Sequence, residues 1–362
     1  MPLTIKQGLL PGMDENTKSP LVKRRRRTTS SRVTMADVAR KAGVSGQTVS
    51  RVLHQPELVG EEVALRVRDA IESLQYVPNL AASQMASNRS GIVAAIIPSI
   101  SSSVFADTIQ ALSDTLVPAG YQILLGNTEY DPDREEELVR SFLGRGPDGI
   151  MLASTHHNPS LIKLLSRSRL PVVETWDWLE NPIDLLVGYS NERASYQMVR
   201  YLGEKGYRKI VFAGVTNVGD YRAEARLQGY QAAIKAMGLD KPRVLTLAGQ
   251  PLTMQVGAQT LISILKQHPD ADAVFFSSDV FASGALLECT RRGIAVPKQL
   301  AIAGFGDFEI AKNLVPSLTT VSVHAAQIGQ NAAELLLARM ENNPIDNKCI
   351  DVGFELIFRQ ST

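Results

Sequence analysis

Gln47, Thr48, Ser50 and Arg51 fall within a turn and a half of one another in the run V-S-G-Q-T-V-S-R-V-L at 44–53. An arginine fork can bond a guanine edge at two points and a glutamine amide an adenine edge, whereas hydroxyls suit phosphate oxygens. Recognition of a duplex is one chemistry these side chains could offer.

Two short helices must position them. Thr34 precedes the first, with Asp37 at capping-box spacing, so that each end can satisfy an orphan N–H. Ser45 N-caps the second after the turn Ala42-Gly43-Val44. Val38, Ala42, Val44, Val49, Val52 and Leu53 form an apolar seam between them. This is the layout of a helix-turn-helix, whose second helix offers its N-terminal side chains to the major groove. It is also the layout of an ordinary αα-hairpin, and spacing alone leaves both open. A third helix at 61–74, with Val63, Val67, Ile71 and Leu74 on one face, closes a three-helix unit.

The near-zero net charge of +1 hides an asymmetry: residues 1–90 hold 14 Lys and Arg against 8 Asp and Glu, the remainder 24 against 29. A basic end on an acidic body points to a polyanionic partner for the first part alone. Residues 1–32 are polar and aperiodic, a disordered basic tail in which Lys23-Arg24-Arg25-Arg26-Arg27 is either solvated or set against phosphates or a minor groove. The headpiece then spans 33–78. Residues 79–90 contain the Ala-rich stretch Leu80 to Ser87, too short to hold a helix alone. It is either a linker or a helix formed only when something stabilises it.

From Gly91 to Thr362 short apolar runs alternate with amphipathic stretches, as in Ile92–Ile97, Gly149–Ala153, Lys209–Gly214 and Ala273–Ser277. This βαβ rhythm implies an α/β body of parallel sheets flanked by helices. Its length exceeds one open sheet, so two lobes are expected, with a ligand outside the carboxyl ends of the strands. Their expected division is 91–204 plus 323–350 for lobe one, and 205–322 plus the C-terminal end for lobe two. Cys289 and Cys349 make no disulfide framework and read as buried thiols of a reducing compartment. With no membrane span and no secretory h-region, the expected location is the cytoplasm.

V-S-G-Q-T-V-S-R-V-L, then L-Q-Y-V-P-N-L-A-A-S-Q-M-A, then V-P-K-Q-L-A-I-A-G-F-G-D at 296–307 and P-S-L-T-T-V at 316–321 resemble the LacI/GalR family of bacterial transcription regulators. V-F-A-D at 104–107, G-Y-Q-I-L-L-G at 120–126 and D-G-I-M-L-A-S-T-H-H at 148–157 are most similar to its gluconate-operon repressors. The resemblance implies a homodimer whose two headpieces bind a near-palindromic operator in double-stranded DNA. Gly46, Gln47 and Arg51 would face base edges, and Thr34, Ser45, Thr48 and Ser50 would contact phosphates. Many relatives carry a larger reading side chain where Gly46 stands. Asn79, Ala82 and Met85 match the family's hinge helix, in which Met85 would enter the minor groove as an apolar wedge.

The resemblance further implies an effector held between the lobes. Arg226 in R-L-Q-G-Y matches the effector-binding arginine, unless it is a surface helix residue. Phe105 matches the apolar wall, although a core Phe would read the same. Asp177 and Trp178 follow a strand, where they either meet the ligand or simply pack, and Ser278 and Asp279 occupy the family's polar pair. Where many relatives have Gly-Phe-Asp-Asp, this chain has Gly304-Phe305-Gly306-Asp307. Loss of the first carboxylate with Arg226 retained favours an acidic sugar such as gluconate or a ketogluconate, and leaves Asp307 to the loop. No cofactor is expected.

Walker, G-x-G-x-x-G and G-x-S-x-G motifs are absent, and no catalytic acid–base pair stands out. His156-His157, with no further ligand nearby in sequence, reads as a polar loop bordering the cleft rather than a metal site. The chain end at 349–358 reads as one strand-like run without a heptad tail, so a dimer is expected rather than a coiled-coil tetramer. The rival classes are a solute-binding protein of transport and a sugar-acid enzyme.

Overall fold

A computed structural model describes residues 33–77, 89–100, 105–216, 219–239 and 241–362. The chain divides into two compact units, Met1–Leu80 and Ala81–Thr362. The basic tail at 1–32 and the hinge residues Asn79, Ala82 and Met85 lie outside the described residues.

In the first unit, α1 (Met35–Ala42), α2 (Gly46–His54) and α3 (Glu61–Leu74) enclose a core in which Val38, Val49 and Val67 are wholly buried. Local chemistry sets the helix ends. The Asp37 carboxylate accepts from Thr34 N at 3.0 Å and Oγ1 at 2.6 Å, and Gly43 takes a left-handed φ of +67° to end α1. On α3 the fully buried positions are Ala64, Val67 and Ala70, while Val63, Ile71 and Leu74 flank them half-buried. Small residues let α3 approach α1 closely.

In the second unit a first lobe runs β1 (Ile92–Ile97), α4 (Ala106–Leu116), β2 (Gln122–Asn127), α5 (Pro132–Leu143), β3 (Gly149–Leu152), α6 (Pro159–Ser168), β4 (Val172–Thr175) and β5 (Leu185–Gly188). The second lobe adds α7 (Asn191–Glu204), β6 (Ile210–Thr216), α8 (Tyr221–Ala236), β7 (Arg243–Ala248), α9 (Met254–Gln267), β8 (Ala273–Phe276), α10 (Asp279–Arg292), β9 (Ala301–Ala303), α11 (Glu309–Asn313) and β10 (Thr320–Ser322). The chain closes with α12 (Ala325–Met340), β11 (Cys349–Asp351) and β12 (Glu355–Ile357). Lobe one is a parallel sheet of order β11-β5-β4-β3-β1-β2, and lobe two a parallel sheet of order β7-β6-β8-β9. Strands β1, β3, β4, β5 and β8 are almost continuously buried, as strands covered on both faces must be.

Helix α7 packs against α8, and a Cβ at Gly229 would stand 2.1 Å from the Glu192 carbonyl, so the two backbones touch. The 191–204 helix therefore belongs with lobe two, and a division at 204 gives way to one near 190. Its buried residues include Ala194, Met198 and Leu202, and its packing on α8 is what the alternation of elements could not reveal. Helix α12 returns to pack on α4 in lobe one.

The single run read at 349–358 is two strands serving different lobes. β11 pairs with β5 of lobe one, β12 with β10 beside lobe two, and Gly353 at φ +64° separates them. The chain thus passes between lobes near 189–191, 323–325 and 352–354. Cys289 is buried and Cys349 half-buried, both as free thiols, with burial pushing the Cys289 thiol up to about 12. Among the described residues no helix is long and apolar enough to cross a membrane.

Candidate functional site

On the headpiece, Gln47 and Arg51 are exposed one turn apart on α2, opposite the buried Val49 and Val52. Ser50 and Thr48 are half-buried beside them. Ser45 Oγ accepts from Thr48 N at 3.1 Å and lies 2.9 Å from Thr48 Oγ1, so these two hydroxyls hold the helix start together. A Cβ at Gly46 would meet nothing within 4 Å, so no internal contact demands glycine at this first helical position. Thr34, at the start of α1, is exposed. Replacing Ser45 by Ala is expected to cost the headpiece about 1 kcal/mol, read by urea unfolding.

The cleft follows from strand direction. In both lobes the residues just beyond the carboxyl ends of the parallel strands meet around a cavity of about 550 Å³. Lobe one supplies Phe105, Tyr130, Trp176 and Tyr189, and lobe two supplies Arg222, Arg226, Ser278 and Phe305. Phe105 and Trp176 meet edge to face at 5.1 Å and form an apolar wall. Arg226 donates from Nε to Asn191 Oδ1 at 2.9 Å and from Nη1 to the Ser277 carbonyl at 2.7 Å, with its guanidinium 4.1 Å over the Phe305 ring. Arg222, one turn earlier, donates from Nη1 to the Ala153 carbonyl at 3.1 Å.

Among the described residues two carboxylates line the cavity, and both already have partners. Glu129 pairs with Arg134 at 2.7 Å, and Asp220 caps α8 by accepting from Ala223 N at 3.2 Å. Helices α8 and α10 both begin at the cavity, so their N-terminal dipole ends reinforce the two guanidiniums. The arrangement is suited to holding a small, partly apolar anion.

Of the residues singled out in the sequence, Phe105, Arg226 and Ser278 line this cavity. Asp177 and Trp178 do not. Trp176 takes a left-handed φ of +78°, which breaks the alternation after β4 and turns the Trp176 ring inward, leaving Trp178 38% exposed. Asp177 Oδ1 instead accepts from Asn191 Nδ2 at 3.2 Å, and so supports the residue that orients Arg226. Asp279 is also displaced from the cavity. It is fully buried, accepting from Thr320 Oγ1 at 2.6 Å and Phe308 N at 2.9 Å, and burial pushes its carboxyl up to about 7 against those two bonds. Gly306 lines the cavity at φ +127°, while Asp307 turns away to accept from Arg359 Nη2 at 2.6 Å. Sequence reasoning missed Arg222, Asn191, Trp176, Tyr130 and Tyr189. The i, i+4 spacing of Arg222 to Arg226 was the one available signal.

The two histidines part company. His156 is exposed and stacks on Tyr221 of lobe two at 4.1 Å, so it does border the cleft. His157 turns inward, its side chain 1% exposed, with Nδ1 2.7 Å from Glu135 Oε2. Its Nε2 lies 3.3 Å from Glu174 Oε1, an ion-pair contact without hydrogen-bond alignment. Burial opposes the charge, but the two carboxylates outweigh it and raise His157 to about 9. Among the described residues no group of His, Cys, Asp and Glu is arranged to hold a metal ion.

A helix-turn-helix headpiece joined to a two-lobed ligand-binding body defines a DNA-binding transcriptional regulator. The chain belongs to the lacI family of bacterial regulatory proteins, whose signature matches residues 34–79, and a periplasmic binding protein-like domain matches residues 199–362. It is 36% identical to the HTH-type transcriptional regulator GntR of Pseudomonas aeruginosa, over 92% of this chain and 97% of that one. It is 35% identical to the HTH-type transcriptional regulator IdnR of Escherichia coli, over 90% and 97%. Among solved structures, a LacI-family transcriptional regulator from Silicibacter pomeroyi superposes with a TM-score of 0.85 at 32% identity, covering 91% of this chain and 99% of that one. These relatives are transcriptional regulators, and the chain is one of them rather than an enzyme.

Proposed function

We propose that the protein is a cytoplasmic, homodimeric repressor of sugar-acid catabolism genes, released from a near-palindromic operator by gluconate or a ketogluconate. One observation carries the effector reading: Arg222 and Arg226, on successive turns of α8, line a cavity whose own carboxylates are engaged elsewhere. A guanidinium fork suits a carboxylate, and the Phe105–Trp176 wall suits the C–H face of a polyol chain. Gly306 adds no charge where many relatives carry an acid, which removes a repulsion that an anionic ligand would meet. Similarity to the GntR and IdnR regulators supports the same reading.

For the headpiece, the exposed Gln47 and Arg51 are proposed as the base readers, with Thr34, Ser45, Thr48 and Ser50 near phosphates. Replacing Arg51 by Ala is expected to cost about 1–3 kcal/mol on the preferred operator and to relax selectivity at one base pair. Neutralising Lys23 to Arg27 is expected to weaken binding to all duplexes and flatten its salt dependence. Competition among duplexes at two salt concentrations separates the two effects.

Calorimetric titration of gluconate, 2-ketogluconate, sorbitol and glucose into the full chain tests the effector reading. Saturable binding of an acid in preference to its neutral analogues supports it, and preference for a neutral sugar overturns it.

A further inference from the structure

Arg222 belongs to lobe two yet makes its contacts in lobe one. Its Nη1 donates to the Ala153 carbonyl just beyond β3 at 3.1 Å, and its guanidinium sits 5.4 Å over Phe105 and 5.9 Å over Tyr130. The side chain is 11% exposed, and its only carboxylate partner among the described residues, Asp220, stands 4.0 Å away while capping α8. One carbonyl and two ring faces leave a largely desolvated cation short of opposite charge.

The lobes touch at this same place. His156 stacks on Tyr221, the residue before Arg222, at 4.1 Å and 15°. The backbone at Gly219 lies so close to Tyr130 that a Cβ there would stand 2.2 Å from the Tyr130 carbonyl. Glu129 and Tyr130 both hold left-handed backbone, at φ +56° and +65°, so the lobe-one side of the seam is a strained loop fixed by its neighbours. Arg222 is therefore a wall of the cavity and a polar link across the inter-lobe seam at once.

We infer that Arg222 is the residue that makes lobe closure depend on the charge of the ligand. The inference rests on the reading of the cavity as a sugar-acid site. A carboxylate reaching Arg222 adds a second counter-charge to the 4.0 Å contact with Asp220 only when the lobes are together, because the guanidinium is held by the Ala153 carbonyl and the Phe105 and Tyr130 rings of lobe one. A neutral polyol of the same shape leaves the cation under-compensated and gains nothing from closure. Arg226 behaves differently. Its bonds to Asn191 and Ser277 and its stacking on Phe305 are made in lobe two and at the lobe junction, and they fix its fork in place.

The test uses full-length protein with Arg222→Met and Arg222→Lys, gluconate and 2-ketogluconate as acids, and sorbitol as the neutral analogue. Calorimetry gives the ratio of acid to polyol affinity, small-angle scattering gives the compaction on binding, and thermal unfolding confirms that each variant folds. Loss of one charge-assisted contact is expected to weaken acid binding about 10- to 100-fold in Arg222→Met, with polyol binding little changed, so that the ratio collapses. Compaction with the acid is lost along with it. Arg222→Lys keeps the charge but not the fork and falls between, and it serves alone if the Met variant does not fold. Acid binding by the unmodified protein, with the ratio and the compaction unaltered in the variants, overturns the inference and leaves the sugar-acid reading standing. Failure of the unmodified protein to bind any sugar acid overturns both.

Discussion

If the effector is the proposed sugar acid, Arg226→Ala is expected to weaken its binding by about 2–4 kcal/mol, roughly 30- to 700-fold in Kd, the cost of truncating one partner of a buried charge pair. The size of the effect comes from how the fork is held. Nε and Nη1 are fixed by Asn191 and Ser277, and the plane lies on Phe305, so the remaining donors are oriented before a ligand arrives. Asn191 is held in turn, donating to the Trp176 carbonyl at 3.1 Å and to Asp177 at 3.2 Å. Arg226→Lys retains the charge but abandons this geometry, and it is expected to recover only a minor part of the affinity. Asp177→Asn is expected to act in the same direction more weakly, since it loosens Asn191 without touching the ligand. Calorimetry on the three variants orders them as Ala, Lys, Asn from weakest to strongest binding. Binding by Arg226→Ala equal to that of the unmodified protein would remove Arg226 from the site.

His157→Gln destabilises the body by about 3–5 kcal/mol, because it leaves the buried Glu135 and Glu174 facing each other without a cation. The accompanying fall in Tm is roughly 5–15 °C. The pH dependence has a definite sign. His157 is raised from 6.5 to about 9 in the folded chain, so its charge contributes fully below the unfolded value of 6.5. The contribution declines as pH rises from there and is gone above about 9. The gap in stability between wild type and variant is therefore widest in mild acid and narrows through alkaline pH. Adding Glu135→Gln to His157→Gln removes one of the stranded charges and restores part of the loss. Chemical unfolding across pH 6 to 10 measures all three, and a gap that widens with pH contradicts the assignment.

How far the sequence could be read followed the range of the forces involved. Thr34, Asp37, Gly43 and Ser45 act within a few residues, and the headpiece was legible from them. The buried parallel strands announced themselves by composition, apart from β5 at Leu185–Gly188, which follows β4 with no helix between them and so falls outside the strand–helix alternation. The cavity was legible only in part. Arg226 and Phe105 came from resemblance, but the inward Trp176 depends on a left-handed residue that no side-chain type forecasts. The partners of His157 come from α5 and β4, elements that meet only in the folded lobe. Asp279 sits at a strand end like a ligand-binding acid, yet the return of Thr320 and Phe308 seals it inside. Arg222 carried no signal beyond its spacing, because its role arises where two lobes far apart in sequence touch.

A sugar acid held at Arg226 is proposed to govern the grip on DNA. The direct measurement is operator affinity, by fluorescence anisotropy on a duplex selected from a random pool, with and without saturating gluconate or 2-ketogluconate. The acid is expected to weaken operator binding about 5- to 150-fold, operator to weaken acid binding by the same factor, and Arg226→Ala to abolish the response while still binding operator. Operator affinity that is identical with and without an acid shown by calorimetry to be bound would contradict the proposal.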